Sequence, residues 1–260
     1  MSAVVINGGL VHYEAFGKGN PILFLHGWLG SWRYWYQTMT SLAVDHRVYA
    51  LDLWGFGDSA KSDSKYKVNH YVALVESFIA DLGLDEPVLV GHSLGASIAI
   101  EYAFKDISPI NKVMAVSIPL AEDAVHSRIE NYANASMVSR LIRGRLTLPK
   151  EVEEEAERAD PQVIPLSLKS FKEHCSLNKL TKTNSDILIV FGEKDDLINS
   201  DLTSQLAGYN HIRSISLADS HHFPMIDEGN KFNRLLKEFA DPEATLESLS
   251  LKEEWRRRIR

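Results

Sequence analysis

The segment Val88-Leu89-Val90-Gly91-His92-Ser93-Leu94-Gly95 constrains the fold more than any other part of the chain. Its apolar run reads as a strand buried on both faces, and the small-residue pattern Leu94–Phe104 behind it reads as a helix. No loop separates them. A buried strand that passes directly into a helix is a unit of an α/β architecture. Glycines at 91 and 95 let strand and helix approach closely, while Ser93 takes a strained backbone conformation.

The rest of the chain continues the alternation. Strands are predicted at Val4–Ile6, Leu10–Ala15, Ile22–Leu25, Val48–Leu51, Val88–Val90, Val113–Ile118, Ile187–Phe191 and Ile212–Leu217. The first two, joined through Asn7-Gly8-Gly9, read as an antiparallel hairpin, and the others as a mostly parallel sheet flanked by helices. Helices are predicted at Trp32–Leu42, His70–Leu82 with Asn69 as its cap, Leu94–Phe104, Leu202–Ala207 and Lys231–Phe239. Trp32, Trp35 and Tyr36 have the spacing of one packed helix face.

Between Leu120 and Thr183 the rhythm breaks. Only helical patterning and charge remain there, with Pro149 ahead of an acidic run and Asp160-Pro161 reading as a cap and first-turn proline. An all-helical lid over residues 120–183 is therefore expected, inserted into a core made of 1–119 and 184–240. Arg140, Arg143 and Arg145 are expected on a solvated face of that lid, with contact to an anionic substrate as the alternative. The charged tail, 241–260, reads as a terminal helix, with Glu253–Arg257 and Glu254–Arg258 four residues apart.

Composition narrows the function classes. A formal charge of -7, from 28 basic and 35 acidic residues, argues against a nucleic-acid partner. No apolar stretch is long enough for a membrane span, and the first residues read as a strand and hairpin rather than a signal peptide. Cys175 is the single cysteine, which excludes an internal disulfide framework and fits a reducing, cytoplasmic setting. No histidine–carboxylate group has metal-ligand spacing and no glycine-rich phosphate cradle occurs, so no metal and no cofactor are expected. The expected partner is a small molecule; oligomeric state is left open.

Ser93, between Gly91 and Gly95, is a candidate nucleophile, and the strand–turn–helix context is what such a serine requires. A serine hydroxyl needs a base at neutral pH. Open α/β sheets gather ligands at the C-terminal ends of their strands. Two later strands end in suitable loops: Gly192-Glu193-Lys194-Asp195-Asp196 and Ala218-Asp219-Ser220-His221-His222-Phe223-Pro224. Each loop offers two candidates, Asp195 or Asp196 for the acid and His221 or His222 for the base.

These residues give the chain a specific resemblance. His26-Gly27-Trp28 after an early strand, Asp52-Leu53-Trp54-Gly55-Phe56-Gly57-Asp58-Ser59, the Gly-x-Ser-x-Gly turn, the Gly192–Asp195 acid loop and the His222-Phe223-Pro224 loop occur in the order seen in the α/β-hydrolase family. Over about residues 4 to 240 the sequence is similar to that family's lidded, serine esterase-like branch. The resemblance implies an α/β-hydrolase fold with an eight-stranded sheet, and a triad of Ser93, Asp195 and His222. It selects Asp195 by its distance from Gly192. It selects His222 by the aromatic that follows, with His221 standing where the family usually has glycine. It also implies an oxyanion hole from the backbone N–H groups of Trp28 and Leu94. His26 and His92 are then structural hydrogen-bonding groups, and Asp52 ties down its turn. The implied activity is hydrolysis of a small-molecule carboxylic ester. Relatives with the same triad include carbon–carbon bond hydrolases, perhydrolase-like enzymes and small-molecule receptors. A serine nucleophile argues against epoxide hydrolases and dehalogenases, which resemble this pattern but carry aspartate there.

Overall fold

In the computed structural model, which describes residues 2–124, 149–174, 177–199, 201–249 and 251, every predicted strand forms. They are β1 Ser2–Ile6, β2 Gly9–Phe16, β3 Pro21–Leu25, β4 Arg47–Leu51, β5 Val88–His92, β6 Lys112–Val116, β7 Asp186–Gly192 and β8 Ile212–Leu217. They make one eight-stranded sheet in the order β1-β2-β4-β3-β5-β6-β7-β8. β1 pairs antiparallel with β2, and β2 antiparallel with β4; every other pairing is parallel. The central strands are apolar through their interiors because helices cover both faces of the sheet. Ile22, Leu23, Phe24, Leu89, Val90, Val113 and Leu188 are fully buried.

Four longer helices pack on the sheet: α1 Tyr36–Leu42, α2 Val68–Leu82, α3 Leu94–Lys105 and, near the end of the described chain, Gly229–Ala240. α1 packs against this last helix, and α2 against α3. Residues 94–103 of α3 are all buried, which explains a helix without a polar face. Between β6 and β7 the described residues are helical: α4 Lys150–Ala156, α5 Val163–His174 and α6 Leu177–Leu180. α5 and α6 both pack against α3. After β8 come the short helix α7 Pro224–Asp227 and then α8, the Gly229–Ala240 helix that packs against α1.

Several local expectations need correction. Trp32–Leu42 is not one helix, because Trp32–Trp35 is a 3-10 turn capped by the Ser31 hydroxyl, and α1 follows it. The tighter winding rotates the side chains, so Trp35 is buried while Tyr36 is 48% exposed. α2 starts before Asn69: Lys67 is the extended residue at its start, and its carbonyl accepts from the His70 and Tyr71 N–H groups. Asn69 instead accepts a hydrogen bond from Lys105 on α3 at 2.6 Å. Asp160 caps a turn rather than a helix, since α5 begins three residues later at Val163. The segment predicted helical at Leu202–Ala207 is a 3-10 helix at Asp201–Leu206. In the tail, residues 241–249 hold only a 3-10 turn, Leu246–Ser248. Lys112 takes the carbonyls of Phe239, Asp241 and Ala244 there, so the backbone leaves α8 without continuing as a helix. The tail's charged pairs, Cys175 and the arginines at 140, 143 and 145 lie outside the described residues.

Candidate active site

The strand order places the site. β3 lies between β4 and β5, so the connections after β3 and β5 leave on opposite sides. Such a switch point opens a crevice at the C-terminal ends of the two strands. His26-Gly27-Trp28 follows β3 there, and Ser93 follows β5.

Ser93 has φ 50° and ψ −110°, a left-handed conformation that costs a non-glycine residue roughly 1–3 kcal/mol. Its neighbours enforce it. A Cβ on Gly91 would lie 2.3 Å from the carbonyl oxygen of Gly95, and one on Gly95 would lie 2.2 Å from that of Leu25 in β3. Neither site can hold a larger residue, so α3 starts directly against the sheet. The Ser93 N–H is held by the Val116 carbonyl at 2.8 Å, and its own carbonyl accepts from Ser97 N–H at 3.1 Å. Leu94, the first residue of α3, has one of the N–H groups that a helix leaves without an intrahelical partner.

The loops after β7 and β8 are stitched together through Glu193 N–H to Leu217 O and Lys194 N–H to Ser220 O, each 3.0 Å. This brings Asp195 to His222, whose Nδ1 lies 2.9 Å from Asp195 Oδ2. The other carboxylate oxygen, Oδ1, accepts the N–H groups of Leu197 and Ile198 at 2.9 and 3.1 Å. Burial pulls the Asp195 carboxyl upward, but the His222 charge, its hydrogen bond and these two N–H groups outweigh burial and leave it below its ordinary value. With Nδ1–H donated to Asp195, neutral His222 keeps its lone pair at Nε2. Asp196 and His221, the alternatives in these loops, are exposed. His221 is turned to Asp227, which accepts its N–H at 2.8 Å.

His92, the residue before Ser93, lies against His222. The His92 and His222 rings are 4.8 Å apart, and His92 Nε2 lies 2.8 Å from the His222 carbonyl oxygen. Among the described residues no direct hydrogen bond joins Ser93 to His222; in sites without substrate such bonds are often long. The β3 loop also comes close, since a Cβ on Gly27 would sit 3.1 Å from Ser93 Cβ. Gly30 N–H to Gly27 O closes that loop at 3.2 Å, with Leu29 at φ 59°. Trp28 reaches up from it to α5, donating to Ser167 Oγ at 2.9 Å and packing 4.5 Å from the Phe171 ring.

His26 behaves as a structural group. Its Nδ1–H donates to Gly27 O at 2.7 Å, and its Nε2 accepts from Leu53 N–H at 2.9 Å. Burial lowers its basicity, so it ties the β3 and β4 loops as a neutral ring. Asp52 accepts from Trp32 N–H, Asp58 N–H and His12. Here the structure assembles a group that sequence spacing did not reveal: ligand atoms of His12, Asp52 and Asp58 lie within 4.8 Å of one another. Its carboxylates are already engaged, Asp52 as above and Asp58 by Arg33 and Arg158, at 2.9 and 3.4 Å. That leaves little coordinating capacity for a cation. Tyr34 was also not singled out by the sequence; it lies 3.1 Å from His92, and only its place within an aromatic-rich segment hinted at it.

Comparison with known proteins bears on the whole arrangement. Residues 22–235 match the model of the "Alpha/beta hydrolase family". A soluble epoxide hydrolase from Corynebacterium sp. (strain C12) is 32% identical over 114 residues, which is 44% of this chain and 40% of that protein. The matched segments span less than half the length of the curated relatives. Among solved structures, an esterase (EaEST) from Exiguobacterium antarcticum superposes with a TM-score of 0.77 at 21% identity, covering 89% of this chain and 96% of that one. A bromoperoxidase from Bacillus anthracis gives 0.80 at 22% identity, covering 92% and 98%.

Proposed function

The chain belongs to the alpha/beta hydrolase family, and on that premise we propose that it is a serine hydrolase that cleaves carboxylic esters of small to medium acyl chains. Ser93 is the nucleophile, His222 the general base and Asp195 the group that orients it. The observation that carries this reading is the Asp195–His222 pair, 2.9 Å apart, at the same sheet edge as a serine held at φ 50°.

The chemistry follows from the donors and acceptors present. Ser93 Oγ attacks the ester carbonyl carbon as its proton passes to His222 Nε2. Asp195 accepts the His222 Nδ1–H, fixes the tautomer and stabilises the imidazolium. The carbonyl oxygen becomes an oxyanion, for which the N–H groups of Leu94 and Trp28 are the donors. As the intermediate collapses, the bond to the leaving oxygen breaks and His222 hands its proton to the departing alcohol. Water then attacks the acyl-serine, with His222 again as base. The carboxylic acid leaves and Ser93 Oγ regains its hydrogen. Proteins of this fold carry different chemistries, so the fold does not choose among them. A hydroxyl nucleophile, rather than a carboxylate, directs the reading to acyl transfer.

The helices between β6 and β7 act as a lid in this reading. The Trp28–Ser167 bond and the Trp28–Phe171 contact join that lid to the loop that supplies one oxyanion donor. Hydrolysis of p-nitrophenyl esters, acetate through dodecanoate, by the wild type and by Ser93→Ala tests the proposal. Turnover that peaks at one chain length and disappears in the variant is expected. Turnover that survives Ser93→Ala overturns it.

A further inference from the structure

Tyr34 stands between two parts of the site that the triad does not join. Gly27 N–H donates to Tyr34 Oη at 2.6 Å. The same hydroxyl lies 3.1 Å from His92 Nδ1, and His92 Nε2 lies 2.8 Å from the His222 carbonyl oxygen. Tyr34 is 4% and His92 1% exposed, so water does not compete for these bonds.

The direction of each bond can be deduced. A carbonyl oxygen only accepts, so His92 Nε2 carries the hydrogen. A neutral imidazole has one such hydrogen, which leaves a lone pair at Nδ1 and makes the Tyr34 hydroxyl its donor. The Tyr34 oxygen is then the acceptor for Gly27 N–H. Three bonds run one way, from the β3 loop to the β8 loop, and no donor is left over. Phe223, next to His222, closes the group, its ring 4.9 Å from His92 and 6.1 Å from Tyr34.

We propose that Tyr34 and His92 are positioning residues, a hydrogen-bonded relay that fixes the loop of Trp28 and the loop of His222 relative to each other and to Ser93. This inference rests on the reading of Ser93 and His222 given above and extends it to how oxyanion donor and base are kept in register. Two physical consequences follow. Without the Tyr34 hydroxyl, the Gly27 N–H and the His92 Nδ1 lone pair each lose a buried partner, and no hydrogen bond then ties the β3 loop to the ring that holds the His222 carbonyl oxygen. Charge matters as well. Burial, reinforced by the charge of His222, holds His92 well below the usual histidine range. It therefore stays neutral when His222 becomes imidazolium, and the base is not opposed by a second cation whose ring is 4.8 Å away.

The test compares Tyr34→Phe, His92→Leu and His92→Gln with wild type. Assays run well below each melting temperature, with rates divided by the sites titrated by a fluorophosphonate. Tyr34→Phe and His92→Leu are expected to lower kcat about 10- to 100-fold, with KM within about twofold, because the reacting groups lose alignment rather than the substrate its pocket. His92→Gln, whose amide can still donate to the His222 carbonyl, is expected to stay within about fivefold of wild type. Proton NMR supplies a readout without substrate. The low-field resonance of His222 Nδ1–H, bonded to Asp195, should broaden or shift in Tyr34→Phe and persist in His92→Gln. Normalised kcat and this resonance both unchanged in Tyr34→Phe and His92→Leu overturn the relay. A wild type that hydrolyses no ester, yet loses the resonance in Tyr34→Phe, defeats the esterase reading and leaves the relay standing.

Discussion

The Asp195 carboxylate accepts three hydrogen bonds, one from His222 and two from backbone N–H groups, whereas Asp196 beside it is exposed. Asp195→Asn keeps the size but permits the wrong His222 tautomer, and should lower kcat by about 10⁴-fold, as loss of this group does in other serine hydrolases. Asp196→Asn should stay within about twofold; steady-state rates on a p-nitrophenyl ester check both. His92 makes a second prediction. Its folded pKa is depressed below the ordinary 6.5, so below about pH 6.5 the unfolded chain binds a proton that the folded chain does not. The stability it contributes is present above that pH and lost as pH falls. Urea unfolding from pH 7 to 5 should show wild type losing up to about 1.4 kcal/mol per pH unit more than His92→Gln. Slopes that coincide would mean His92 is not held neutral. At this scale the sequence offered the proposed reactive groups and, through the family resemblance, the supports His26, His92 and Asp52, but not Tyr34. Ser93, Asp195 and His222 stand in loops with recognisable neighbours. Tyr34 serves the site through a hydroxyl 58 positions from its partner, and no local pattern marks that.

The β5–α3 turn shows best how an element positions chemistry. Strand, strained serine and helix are locked by two contacts that admit only hydrogen, Gly91 on Gly95 and Gly95 on Leu25. A methyl at 95 meets a backbone carbonyl at 2.2 Å, and carbonyls of a central strand do not move aside. Gly95→Ala should therefore destabilise the fold by about 3 kcal/mol or more and lower kcat in what remains folded. Gly208→Ala, with open space around it, should change neither; thermal melts and titrated rates distinguish them. Strands were legible because each is a short apolar run between turn residues, and the register of an interior strand follows from that burial. Helix starts were less so. Asn69 looks like a cap, yet it is exposed while Val68 and Tyr71 beside it are buried in the first turn of α2, and packing decides where that helix begins. Trp32, Trp35 and Tyr36 fit an α-helical face by spacing, but the 3-10 turn ahead of α1 breaks that periodicity.

For the molecule as a whole, the helices between β6 and β7 are tied to the core at two described ends. Glu155 in α4, 3% exposed, meets Arg33 at 3.2 Å, and Arg33 also holds Asp58 at 2.9 Å. Glu101 in α3 meets Lys179 in α6 at 2.5 Å. Glu155→Gln keeps the volume and removes the charge that Arg33 faces. Because Arg33 is partly solvated, the expected loss is modest, about 1 kcal/mol, while KM should rise more than kcat falls as α4 loosens. A denaturant titration and a Michaelis curve together check this, and a kcat loss with KM unchanged would contradict the assigned role. The helical patterning of the described helices α4 to α6 was visible in the sequence, but their docking was not, because Arg33 and Glu155 are joined only by the fold. Formation of the acyl intermediate on Ser93 can be observed by trapping it. Wild-type protein is mixed with p-nitrophenyl acetate, quenched in acid within the first turnovers, digested and weighed by mass spectrometry. One added acetyl group is expected on the peptide that contains Ser93, absent from Ser93→Ala and accumulating further in His222→Ala only if attack still occurs without the base. An ester hydrolysed with no acetyl on Ser93 would contradict it.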